Sequence, residues 1–237
     1  HVGFLMLFVR FLLKPFKLNE KIGSSITALA ILCYILMIGA PLPAVRAFIM
    51  LAVLLAGKAL GRQYDLLISV SFAAFLILLF NPLAFHDPGF VISFATMYAI
   101  ALLQQPIYKG LKALPLFIRD IFALSLAVWI GIGPVLISYF NYLSFISVFI
   151  NLLAVPVAFV ITLAGFAGTL LGVFFPGAAL YVLSTAYYLI KFLNMLTLKS
   201  AQLPFAGMYV PALPVYIYLL YWATVAVVTN CFELDFL

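Results

Sequence analysis

The chain has 237 residues, 68% of them hydrophobic and only 8% charged, with a formal net charge of +6. A soluble domain has roughly a quarter of its residues charged, so this composition excludes a domain that covers itself with polar side chains. The excess of lysine and arginine reads as membrane orientation, since cytoplasmic loops are enriched in both, rather than as nucleic-acid affinity of a soluble protein.

Apolar runs recur from end to end, and each needs about 20 residues to span the hydrocarbon. No alternating pattern of a barrel strand occurs, and in lipid the backbone must satisfy itself, so the expected fold is all-α. It is a polytopic transmembrane helical bundle of about eight to ten membrane segments, some broken or re-entrant. The first run, Val2 to Leu13, is too short to span and is followed by Arg10, Lys14, Lys17 and Lys21 around its end. It lacks the basic start and small-residue cleavage site of a signal peptide, and the chain reads as a fragment that begins inside a helix. The second run, 26–38, ends at "GAPLP", and Pro43 suits the first turn of the next helix. The third covers 44–60 and ends among Lys58, Gly61 and Arg62. The fourth, 66–80, stops at Asn81-Pro82, and the fifth covers 90–103. The sixth, 121–140, carries a break at "GIGP", 131–134. About 30 apolar residues follow, 145–174, which "NLLAVP" is expected to split. The eighth covers 178–198 and the ninth 215–228. All of 1–237 is expected to be one membrane domain with no soluble domain.

Basic residues gather in alternate connections: Lys14, Lys17 and Lys21, then Lys58 and Arg62, then Lys109, Lys112 and Arg119. These loops are expected on the cytoplasmic side. After residue 145 the rule gives two answers, depending on whether 145–174 is one span or a hairpin bent at Pro156.

Few residues offer chemistry. Arg46 lies on the expected outer side and in a first helical turn, against both the charge rule and the helix dipole. Either an anion bound at the helix start compensates it, or it snorkels to the headgroups. Lys58 and Arg62 project away from it, at about 100° per residue, and read first as topology anchors. Asp87-Pro88-Gly89 before an apolar run has the form of a helix N-cap followed by proline at the first helical position. The alternative is the mouth of a pathway. His86 stands alone and reads as a loop residue. Asn151, five residues before Pro156, must find a partner in lipid, so it either joins helices or lines a cavity. The aromatic residues are mostly packing and interfacial belt, although Tyr139, Phe140 and Tyr142 could stack on bases.

Catalysis finds little support. There is no H-E-x-x-H and no G-x-S-x-G, and among the carboxylates only Glu233 and Asp235 are close in sequence. Cys33 and Cys231 are far apart, with no ligand spacing around them. No catalytic residue, metal or cofactor is expected, and the chain reads as a conduit rather than an enzyme.

Four blocks then carry a family resemblance. "HVGFLMLFVRFLL" resembles the segment that opens the second part of the competence domain of ComEC-type DNA-uptake proteins. "GAPLPAVRAFIMLAVLLAGKALGR" resembles its G-x-S/P-P-x-x-R-A run and small-residue helix. "NPLAFHDPGFVISFATMYAIALL" resembles its N-P-L-x-x-x-D-P-G-F-x-x-S-F block, with His86 in place of an apolar neighbour of the aspartate. "YFNYLSFISVFINLLAVPV" resembles its Y-F-x-x-x-S-x-x-x-x-x-x-N-L-L-A-V-P block. Residues 175–237 resemble it in hydropathy alone. The resemblance implies a channel of the bacterial inner membrane that passes single-stranded DNA into the cytoplasm, and Arg46, Asp87, Pro88, Gly89, Asn151 and Pro156 match its motifs. It also implies a DNA receptor outside and a helicase-like motor inside. Arg46 would meet phosphates outside, and Lys58, Arg62, Lys109 and Lys112 would receive them inside. The alternative is a secondary transporter for a small substrate, also built on broken helices.

Overall fold

The computed structural model describes residues 2–61, 65–211 and 213–234, and among these the chain forms nine α-helices and two short strands. The helices are α1 (Val2–Leu13), α2 (Glu20–Met37), α3 (Leu42–Ala59), α4 (Leu66–Phe80) and α5 (Pro88–Gly110), then α6 (Leu116–Phe140), α7 (Ile146–Phe174), α8 (Pro176–Ala201) and α9 (Val215–Leu234). Six of them, α2, α3, α5, α6, α7 and α8, are long and apolar enough to cross a membrane. The expected count of eight to ten segments is therefore not confirmed among the described residues. The fourth run is as apolar as expected, but its 15 residues rise only about 22 Å at 1.5 Å each, short of a bilayer core of about 30 Å.

Packing divides the chain into two compact units, His1–Phe90 with Pro156–Asn194 and Val91–Val155 with Met195–Leu237. In the first, α1, α2 and α3 close over the fully buried Ile31 and Ile35. Rings contributed by α7 complete that core: Phe166 packs on Phe8 and Tyr34, and Phe159 on Phe4. The helix ends follow local chemistry. Asn19 caps α2 by accepting the N–H of Lys21, and Asp65 caps α4 by accepting that of Ile68. α2 stops at Gly39, whose φ of +83° suits a residue without Cβ. The N–H groups of Gly39 and Ala40 then turn back onto the carbonyls of Leu36 and Ile35, a Schellman closure.

The second unit is built on the close approach of α5 and α6, where Ala99 and Ala127 are fully buried with Leu103. Against the expectation of an all-helical chain it also holds an antiparallel ribbon, β1 (Tyr142–Ser144) with β2 (Gly207–Tyr209). The indole N–H of Trp129 in α6 donates to the carbonyl of Ser144 at 2.6 Å, which ties the ribbon to the bundle.

The expected breaks at 131–134 and 151–156 are not breaks, since α6 runs through Pro134 and α7 through Pro156 without interruption. Proline removes one helical hydrogen bond, to the carbonyl four residues earlier, which for Pro134 is that of Ile130. The hydroxyl of Tyr221 in α9 donates to this same carbonyl at 2.7 Å. A helix keeps a proline at membrane depth when another group re-satisfies the freed acceptor. Tyr221→Phe should therefore destabilise the protein by about 1 kcal/mol, read by chemical unfolding in detergent. In a Pro134→Ala background, where the helix supplies its own donor, the same change should be nearly neutral.

Candidate functional site

Two charges distant in sequence converge in the first unit, between the start of α3 and the end of the short 3-10 turn Pro82–His86. Pro41 and Pro43 set the beginning of α3, and Arg46 follows one turn in, only 8% exposed. Its Nη1 donates to Asp87 Oδ2 at 2.7 Å, forming an ion pair across 41 residues of sequence. Asp87 has extended backbone, and its other oxygen accepts the N–H of Gly89 at 3.0 Å. Asp87 thus caps α5 with one oxygen and holds the guanidinium with the other, while Pro88 occupies the first helical position. Gly89 makes room for the arrangement, because a Cβ there would stand 2.6 Å from Nη2 of Arg46.

A cleft of about 500 Å³ opens beside the pair, lined by apolar residues of α3 and α4 together with Arg46, Asn81 and Asp87. Arg46 Nε is buried at this site and has no hydrogen-bond partner among the described residues. One donor of the guanidinium is therefore unspent.

The pair explains the placement of Arg46 against both the dipole and the charge rule. Its compensating anion is Asp87, a partner neither of the two sequence readings named. A signal was available: two lone charges of opposite sign sit at helix starts on the same expected side of the membrane, and charges in apolar surroundings pair with one another.

The Gly89 N–H, and after it the charge of Arg46, hold the Asp87 carboxyl below its ordinary pKa of 3.8, against the opposing effect of partial burial. A lowered folded-state pKa contributes stability that is fully present above the unfolded value and is lost as pH falls through the folded one. The protein should therefore lose a stabilising contribution below about pH 4. Unfolding followed against pH in detergent should show this acid step in the natural sequence and not in Asp87→Asn.

The remaining sequence candidates are dispersed. Lys58 lies in the last turn of α3, where a cation complements the dipole, and its charge is felt at Glu20. Arg62 lies outside the described residues. Asn151 is half-buried in α7, and no side chain among the described residues bonds to its amide. Phe149 and Leu153, on other faces of the helix, are 62% and 46% exposed. His86 closes the 3-10 turn with its ring edge-on to Phe85. At the other end of the first unit Arg10 pairs with Glu20 at 2.8 Å and donates to the buried Ser24. Arg10, Lys14, Lys17 and Glu20 line a small cleft there.

Long apolar helices, a half-buried charge pair at a helix start and a proline whose freed carbonyl is re-satisfied within the bundle together define a multi-pass helical membrane protein. More particularly, the chain belongs to the competence protein family, whose model matches residues 1–234. It is 28% identical over 172 residues to ComE operon protein 3 of Bacillus subtilis (strain 168). That alignment covers 72% of this chain and 22% of the relative, so the chain spans about a fifth of the relative's length. No solved structure matches it.

Proposed function

We propose that this chain is the membrane part of a DNA-uptake channel, passing single-stranded DNA into the cytoplasm across the bacterial inner membrane. It acts as a conduit rather than an enzyme. Family membership over 1–234 supports a role in competence, and the observation that carries the conduit reading is a pair of polar groups in α7, an otherwise apolar helix. Pro156 frees the carbonyl of Leu152, and among the described residues no side chain donates to it. One residue earlier, the Asn151 amide is equally unpartnered. The contrast with Pro134, whose freed carbonyl Tyr221 satisfies, is physical. Two unspent polar groups in adjacent positions of an apolar helix cost several kcal/mol in lipid, and water in a pathway removes that cost. A DNA receptor outside and a helicase-like motor inside complete the reading, with Lys58, Arg62, Lys109 and Lys112 at the receiving side.

Cysteines at Asn151 and Val155, in a background without Cys33 and Cys231, should react with small polar thiol reagents and be protected by single-stranded DNA held in transit. Cysteines at Phe149 and Leu153 should react much less. Protection by a small solute and not by DNA would turn the reading to a secondary transporter. An inert Asn151 would remove the conduit from this helix.

A further inference from the structure

α8 carries a polar stripe that the packing of the first unit leaves uncovered. Ser184, Tyr187, Tyr188, Lys191 and Asn194 fall within about 120° of arc at 100° per residue. All five are exposed, Tyr187 and Tyr188 at 61% and 67%, while Ala179 and Ala186 are buried on the opposite side of the helix. Among the described residues none of the five side chains forms a hydrogen bond, and Lys191 has no acidic partner. α8 is 26 residues long and apolar enough to cross a membrane. Any stretch of about 20 residues within it, the length a crossing needs, includes all five. A charge at such depth faces a water-filled cavity or a partner. A lone lysine can snorkel to the headgroups, but this stripe continues about two further turns, to Ser184.

Resting on the conduit reading above, we infer that this face of α8 lines the path and contacts the passing single strand. Lys191 meets its phosphates. The rings of Tyr187 and Tyr188 stand edge to face with centroids 5.5 Å apart, an arrangement that leaves ring faces open for bases to stack on. Water in the path hydrates Ser184 and Asn194. The charge decides the occupant. Acyl chains would leave the ammonium uncompensated. An isologous contact between two copies would set Lys191 near its own counterpart. A strand with one phosphate per nucleotide compensates the ammonium at every step of its passage.

Lys191→Met tests the charge. It breaks no bond among the described residues, so inserted protein should stay at the natural level. DNA uptake should fall about tenfold, the worth of one charge-assisted hydrogen bond, and Lys191→Arg should retain most of it. Ser184→Cys and Asn194→Cys, in a background without Cys33 and Cys231, should react with small polar thiol reagents and be protected by single-stranded DNA arrested in transit. Ile190→Cys and Phe192→Cys, off the stripe, should react much less. Normal uptake by Lys191→Met overturns the inference, as does a loss of inserted protein that accounts for its loss of uptake. So do stripe cysteines no more reactive than those at 190 and 192, protection by a small solute and not by DNA, or disulfides that join two copies through the stripe. Protection of Asn151→Cys and Val155→Cys with none of Ser184→Cys and Asn194→Cys sinks this inference alone. Absence of protection at all four sinks the conduit reading with it.

Discussion

Placing a methyl group on Gly131 is expected to force α5 and α6 apart and to destabilise the second unit by about 1–3 kcal/mol, the usual cost of overpacking. The contact leaves no slack. A Cβ on Gly131 would overlap that of Ala99 and stand 3.2 Å from the Ala99 Cα, a backbone atom that cannot swing aside. Ala99 and Ala127 are fully buried at the same contact, so the helices meet there through small residues. In lipid such close approach is itself the source of association, because apolar side chains gain nothing by leaving acyl chains for one another. Gly131→Leu should therefore be worse than Gly131→Ala. Ala99→Gly should restore much of what Gly131→Ala loses, since the pair then exchanges its single methyl group. Thermal unfolding of the four proteins in detergent reads this cycle directly, and additivity of the two single changes would show that the helices do not meet here.

In the sequence Gly131 stands out only as part of an expected break and Ala99 not at all, and the reason is general to this fold. The limits of α4 follow from apolarity alone, because Asp65 and Asn81-Pro82 bound a run with no interruption. Apolarity also places the starts of α5 and α7 closely. What it does not supply is the behaviour of prolines within runs. Pro134 reads locally as a break, but the hydroxyl that lets the helix continue comes from Tyr221, 91 residues away in sequence. The number of spans is not confirmed for a related reason. Apolar character identifies α4 as lipid-compatible, but crossing the bilayer is a matter of length, and its 15 residues fall short. At the charge pair, the cap of α5 is legible from Asp-Pro-Gly, while the partner of Arg46 is not, because nothing local joins residues 41 positions apart.

That pair gives the other large expected effect, and the effect is asymmetric. Asp87→Ala removes both the cap of α5 and the only anion bonded to Arg46 among the described residues, leaving a guanidinium buried and uncompensated. Breaking a buried pair from one side costs far more than never having had it, so folded, membrane-inserted protein should fall several-fold. Arg46→Met should be milder. Methionine fills similar space among apolar walls, and Asp87, already exposed, keeps its bond to the Gly89 N–H. Arg46→Met combined with Asp87→Ser, which retains an acceptor for that N–H, should recover most of the protein lost in Asp87→Ala. DNA uptake normalised to inserted protein then separates two roles for the arginine. A purely structural pair leaves normalised uptake of the double variant near that of the natural sequence. If the Arg46 guanidinium also meets phosphates in passage, uptake stays low in Arg46→Met and in the double variant although both are folded, and Arg46→Lys restores it only in part, because lysine lacks the planar fork.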